Sequence, residues 1–421
     1  MERTTDRGEL AMRAMDDSEA DWAGLVPRHQ PREFATFDGS DLMLIVGLVL
    51  LSIEVVQING AQLNQVWAAA CLIVLLAQRK IAVTGREVFV YGLFLSTALW
   101  LTFVGDFPRM KEGQQIIKFA IVYPAFFLLG RYYGWRYASG KRLPFGYLAI
   151  AAFLLVQIGL QIYKVPVLYR PVEHTPGAIN GSFIERNWLS FYFFAASYVV
   201  FLQSRRRPVD AMMFLAFGVA NALASGSKSV LVAYGIAIIT QLKGHRVMKG
   251  LLLAMGAATF AYLFAPELSG QVLSTRLQEE RGFALVTSIG LLDRNWLGYG
   301  FGFVEGYFAQ AAFFIRGLGV GANSIFCAPL DFMLIAGIPG LLAWLMYFCG
   351  FGLGWSVIGC VAPIAAWSLT NPMHQNETVW FYLGYLVSYG RYMQRWGTHD
   401  LRAMRFAAIA PLSGSRQRSV T

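Results

Sequence analysis

Apolar runs of about 15 to 20 residues recur from residue 42 to residue 392, and no other feature narrows the fold as far. Inside a bilayer every backbone N–H and C=O must find a partner within the protein, so a run of this length crosses as a helix or a barrel strand. The runs are continuously apolar rather than alternating, which selects helices. They fall at about 42–56, 62–78, 87–104, 114–130, 145–163, 187–203, 210–224, 228–242, 250–265, 325–348, 352–369 and 377–392. The expected fold is an all-α polytopic membrane protein with about twelve transmembrane helices. Only 14% of the residues are charged and 56% are hydrophobic, where a soluble domain carries about a quarter charged.

The connections sort by charge. Arg79-Lys80 with Arg86, the 131–142 segment RYYGWRYASGKR, Arg205-Arg206-Arg207, the 243–249 segment KGHRVMK and the tail from Arg391 hold the dense basic clusters. They occupy every second connection apart from the nearly uncharged 349–352, so the positive-inside rule predicts both termini in the cytoplasm. Residues 1–40 carry nine acids and five bases, leaving +14 for the rest of a chain whose net charge is +10. The basic surplus follows topology rather than a nucleic-acid surface. Residues 1–40 read as a disordered acidic cytoplasmic tail, 41–393 as the helical domain and 394–421 as a basic cytoplasmic tail. A cleavable leader is not expected, because the first apolar run starts only behind this polar stretch. The four cysteines show no ligand spacing, so neither a disulfide frame nor a zinc site is expected.

The opposite side carries the long stretch 266–324, well beyond an ordinary connection and therefore expected to be functional. Within it Phe283, Val286 and Ile289 recur three apart, the spacing of a short amphipathic helix on the outer leaflet. GYGFGF (298–303) reads as flexible, glycine-rich backbone.

Several polar residues stand where the pattern does not call for them. Lys228 sits at the outer end of the eighth run, where the helix dipole disfavours a cation; an anionic ligand or snorkelling to lipid phosphates would account for it. Glu185-Arg186-Asn187 opens the sixth run, and the outer loops add Arg109, Lys111, Arg170, Arg276, Arg281 and Arg294. Guanidinium groups suit phosphate oxygens. His174 and His374, beside Glu173 and Glu377, are outer polar groups able to act as bases, or parts of plain turns. Asp331, expected roughly two turns below the outer surface, is an intramembrane acid and hence a functional candidate. Pairing with Arg281 or Lys228 is the alternative.

Four segments together resemble the O-antigen ligase and polymerase superfamily of bacterial inner-membrane glycan enzymes. NGSFIERNWLSFY supplies Gly181, Phe183 and Asn187; SGSKSVLVA supplies Lys228 where relatives carry Arg. RGFALVTSIGLLDRNWLGYGFGF supplies Arg281, Gly298, Gly300 and Gly302, and ANSIFCAPLDFMLIAGIPG supplies Asn323, Gly337 and Gly340. The frequent histidine before the asparagine is Ala322 here.

The resemblance implies a glycosyltransferase acting on a polyprenyl-diphosphate-linked glycan at the periplasmic face. It would polymerise repeat units into an exopolysaccharide or O-antigen-like chain, or as a ligase pass the glycan to a lipid anchor. Arg186, Asn187, Lys228, Arg276, Arg281, Asn323 and Asp331 are the candidate substrate and diphosphate contacts. Glu185, His174, Asp293 and His374 are the candidate bases, and the sequence does not choose among them. No cofactor is expected, and without an outer DxD-type cluster no metal. Membrane lipids and other polysaccharide export or chain-length proteins are the expected partners, with no nucleic acid. A transporter or flippase is the rival of a different class, with a scaffold subunit of an envelope machine as the blandest option.

Overall fold

The computed structural model describes residues 37–58, 61–81, 83–139, 141, 143–169, 178–204, 206–227, 229–242, 250, 254, 280–311, 325, 327–350 and 354–396. Among them the chain is helical apart from a two-residue antiparallel pairing of Gln57–Ile58 with Ala61–Gln62. The helices are α1 Gly39–Leu51, α2 Leu63–Ala77, α3 Gly85–Val104 and α4 Glu112–Ala138, then α5 Tyr147–Ile162, α6 Arg186–Gln203, α7 Pro208–Ser225 and α8 Ser229–Gln241. After these come α9 Glu280–Arg294, α10 Phe303–Ala311, α11 Ala328–Phe348, α12 Trp355–Ser368 and α13 Glu377–Trp396. Every expected apolar run except the ninth, 250–265, coincides with a helix; that run lies almost wholly outside the described residues, as do most of both tails and residues 312–324 of the long loop. Four helices, α3, α4, α7 and α11, are long and apolar enough to cross a membrane. The bundle presents large apolar side chains outward, Leu148 at 86% and Phe103 at 77% exposure among them, while its interior is packed with aromatic rings.

Basic segments gather at one end of the bundle. Lys141 pairs with Asp41 at 2.6 Å and Asp38 at 2.9 Å, and Arg136 also reaches Asp38. Glu87, at the start of α3, receives Arg131 at 2.7 Å and Arg391 at 3.1 Å. Arg206 bonds Gln241 and the Tyr389 hydroxyl. These contacts join the starts of α1, α3 and α7 to the ends of α4, α6, α8 and α13, which is the arrangement that alternating helices require.

Two backbone devices shape the bundle. In α4 and α13 the chains approach without side chains between them: a Cβ on Gly130 would lie 1.8 Å from the Phe381 carbonyl oxygen, and one on Gly134 2.1 Å from that of Tyr385. Gly130 and Gly134 are four apart, the small-xxx-small spacing that lets helices touch backbone to backbone.

The second device is a break in α11, where Ala336 and Gly337 leave helical geometry (Gly337 φ 55°, ψ −132°). Pro339 has no N–H to offer the Ile335 carbonyl four residues back. Gly300 N–H donates to that carbonyl instead, at 2.9 Å, and Tyr299 N–H to Leu334 at 2.7 Å. Phe301 N–H donates to Thr102 Oγ1 and Gly302 N–H to Gln115 Oε1. The glycine-rich segment expected to be flexible is thus buried and bonded on three sides. Irregular backbone persists within such a bundle only where protein groups satisfy it. The expected amphipathic helix is present as α9, with Val286 and Ile289 55% exposed and Ala284 and Ser288 buried.

Candidate functional site

At the end opposite the basic contacts, the turn after α12 forms the hub of a polar cluster. Asn371-Pro372 stops α12, and Met373–Gln375 makes one 3-10 turn before α13. Its members reach four neighbours. Asn371 Nδ2 lies 3.5 Å from Ser229 Oγ on α8. Asn376 Nδ2 donates to Glu54 Oε1 at 2.7 Å, and Glu377 Oε1 accepts from Gln65 Nε2 at 3.0 Å. Lys118 Nζ stands 3.9 Å from the same Glu377 oxygen.

His374 faces α11. Its Nε2 is 3.5 Å from Asp331 Oδ2, and Asp331 Oδ1 accepts the Ile325 N–H at 3.1 Å. Both side chains are buried, at 3% and 1% exposure. The Trp380 indole N–H donates to the His374 carbonyl, and the rings of Phe119 and Phe332 flank the imidazole at 6.4 and 5.6 Å. Nδ1 has no hydrogen-bond partner among the described residues. Burial, reinforced by the Lys118 charge, pushes the imidazole down from its ordinary 6.5 to about 3, so it is neutral at physiological pH. Facing a carboxylate, Nε2 is the nitrogen that carries the proton, which leaves Nδ1 as the acceptor. Burial, with Glu377 and Glu185 nearby, holds Glu54 well above the usual carboxylate range even though Asn376 bonds it.

His374 and Asp331 line a pocket of about 530 Å³ of empty space, counting the part open to solvent. Its other wall is the first part of α4, where Gln114, Gln115, Lys118, Phe119 and Tyr123 face α10 and α11. A π turn over Lys118–Val122 precedes Pro124 in the otherwise continuous α4. The wider turn relieves the clash between the proline ring and the carbonyl four residues back, and such turns recur at functional sites. Tyr123 stacks on Trp380 at 4.8 Å and donates to the Gln375 carbonyl, which ties the two walls together.

Of the residues singled out by sequence, Asp331 and His374 meet in this pocket. Asp331 lies in the first turn of α11, where a depth of two turns was expected, and His374 is buried in the 3-10 turn between α12 and α13. Glu185 is exposed ahead of α6, and Asp293 is exposed near the end of α9; neither lines the pocket. Arg186 Nη1 reaches the Ser225 carbonyl at 3.4 Å, over the turn that leads to Lys228. Its neighbour Asn187 is half-buried in the first turn of α6. Two outer cations expected to be open to phosphate are engaged internally. Arg109 donates to the Leu101 and Gly105 carbonyls at the end of α3, and Lys111 pairs with Glu305 at 2.6 Å. His174, Lys228, Arg276 and Asn323 lie outside the described residues, as does the side chain of Arg281. Glu54, Gln65, Gln115 and Glu305 were not singled out as site residues. Glu54 and Lys118 carry the only sequence signal, a charge set in an apolar run. No protein-family model matches the chain, and no curated protein matches it.

Proposed function

We propose that the protein is a membrane glycosyltransferase that polymerises polyprenyl-diphosphate-linked repeat units at the outer face of a bacterial inner membrane. The observation that carries this reading is the buried His374–Asp331 pair in a polar pocket at the end of the bundle away from the basic segments. The positive-inside rule assigns that end to the outside and both termini to the cytoplasm.

In the reaction, an acceptor hydroxyl oxygen forms a bond to the anomeric carbon of the donor sugar. The bond from that carbon to the diphosphate breaks, and the leaving oxygen keeps the electron pair. The hydroxyl proton passes to the His374–Asp331 pair. Arg186, with Lys228, Arg276 and Arg281, is assigned to the departing diphosphate, where cations aimed at developing charge lower the barrier. The resemblance of the 181–187, 225–233, 281–302 and 322–340 segments to the O-antigen ligase and polymerase superfamily supports the substrate class. Ala322 in place of the histidine favours polymerase over ligase, and His374 takes the part of base.

The test is deletion of the gene and complementation with His374→Gln, followed by analysis of lipid-linked intermediates. Single repeat units accumulate in both strains if the reading is right, with polymer reduced on the order of a hundredfold or more by the variant. Long carrier-linked chains left unattached would identify a ligase, and absence of any outward-facing intermediate would identify a flippase. Normal polymer from His374→Gln would remove His374 from the chemistry.

A further inference from the structure

The charge clamp assigned to the diphosphate and the pocket beside His374 have different chemistry. Among the described residues no arginine lines the pocket. Its lining carries Glu305 and Asp331 against Lys118, and the Lys111 ammonium outside it is taken up by Glu305. A cavity without surplus positive charge is a poor place for a diphosphate, whose recognition rests on cations.

What the pocket does offer is planar, neutral hydrogen-bonding capacity. Gln114, Gln115 and Gln375 are three primary amides around one space, each presenting donors and an acceptor in one plane. The Gln115 amide oxygen accepts the Gly302 N–H at 2.9 Å, so its NH2 group is the end left for a ligand. Glu305, 1% exposed, adds an acceptor fixed by Lys111, and the Phe119 ring joins Val304 and Ile335 in the apolar part of the lining. Adjacent donors and acceptors around one aromatic face match the vicinal hydroxyls and the C–H face of a pyranose.

We infer that this pocket is a subsite for a neutral, hydroxyl-rich sugar ring, held by Gln114, Gln115 and Glu305, which presents one hydroxyl to His374. As the acceptor subsite it rests on the glycosyltransferase reading, and it extends that reading by separating the acceptor, in a charge-balanced pocket, from the anionic donor. It also assigns a substrate class: the acceptor sugar is uncharged, because a uronate would meet Asp331 and Glu305.

The test is saturation-transfer NMR on the full chain in detergent, with neutral methyl glycosides, a methyl glucuronide and inorganic pyrophosphate as the probes. Neutral glycosides should receive saturation, and neither charged probe should displace them. Gln114→Ala and Glu305→Gln should each weaken glycoside binding about fivefold, as loss of one hydrogen bond predicts. Gln114 is exposed and its helical hydrogen bond to the Lys118 N–H is made by its backbone, so the alanine variant keeps the fold intact if Glu305→Gln does not. Displacement by pyrophosphate, or unchanged binding in the Gln114→Ala variant, overturns the subsite. Failure of this inference and failure of the transferase reading differ in their signature. Wild-type protein that consumes lipid-linked repeat units but binds no neutral glycoside sinks the subsite alone, whereas glycoside binding without turnover sustains the subsite and sinks the transferase.

Discussion

Gly300→Ala separates a flexible glycine loop from a clamped one. Gly300 has φ of 88°, where an alanine costs about 1–2 kcal/mol of backbone strain. Its new Cβ would stand 2.7 Å from both Thr102 N and Oγ1 and 2.9 Å from Thr102 Cα, so the loop must retreat from α3. Retreat pulls Gly300 N–H off the Ile335 carbonyl, which Pro339 cannot serve, and Phe301 N–H off Thr102 Oγ1. Each of these two buried groups left unpaired costs about 1–3 kcal/mol, so with the strain the total loss is on the order of 3–8 kcal/mol. Ten residues earlier, Gly290 sits in α9 with nothing within 4 Å of a built Cβ. There alanine should stabilise by up to about 1 kcal/mol through helix propensity alone. Far-UV circular dichroism of the purified chain, titrated with SDS in mixed micelles, measures both. Gly300→Ala within about 0.5 kcal/mol of wild type, the range of an ordinary surface change, would refute the clamp.

Three further outcomes are expected. Because the folded-state pKa of His374 is depressed to about 3 from 6.5, acidification below 6.5 protonates only the unfolded chain and removes stability, at about 1.4 kcal/mol per pH unit well below 6.5. Glu54, raised in the fold, acts with the opposite sign above 4.5, so the measurement is the wild-type minus His374→Gln difference in unfolding midpoint between pH 7.5 and 5; a difference that does not change with pH refutes the burial argument. Glu87→Gln should cost about 3–5 kcal/mol, since it leaves the 6% exposed Arg131 without its carboxylate, and Arg131→Met added to it should recover much of that loss. In a background with Cys71, Cys327, Cys349 and Cys360 replaced, Gly113→Cys should react with an impermeant maleimide on intact cells and Lys80→Cys only after permeabilisation; the reverse pattern inverts the topology.

The helices were legible because lipid-length apolar runs leave the backbone few options, and the charge of the connections foretold which ends would gather. α9 was legible from the spacing of Phe283, Val286 and Ile289 alone. The site was not. Asp331 was conspicuous as an acid in an apolar run, but its partner His374 comes from a different turn, and spacing along the chain carries no record of that meeting. GYGFGF looked flexible because glycine permits positive φ in a free loop and in a bound one alike. The difference was made by Pro339, whose missing N–H leaves a carbonyl for the loop to fill. Lys111 and Arg109 looked open to phosphate because their internal acceptors, Glu305 and the end of α3, are assembled only by folding.

The glycine contact between α4 and α13 has a bearing on how such a site can change. Lys118, Phe119 and Tyr123 ride on one of these helices, and His374 and Gln375 stand at the head of the other. With backbone against backbone at Gly130 and Gly134, the two cannot slide past each other without collision, and spreading would give up their close packing. One jaw of the cavity is therefore fixed in width. A lineage that comes to hold a bulkier ligand has to make room from the opposite jaw, where α10 and the broken α11 meet, and substitutions that reshape the cavity should collect there while the α4–α13 seam stays unaltered.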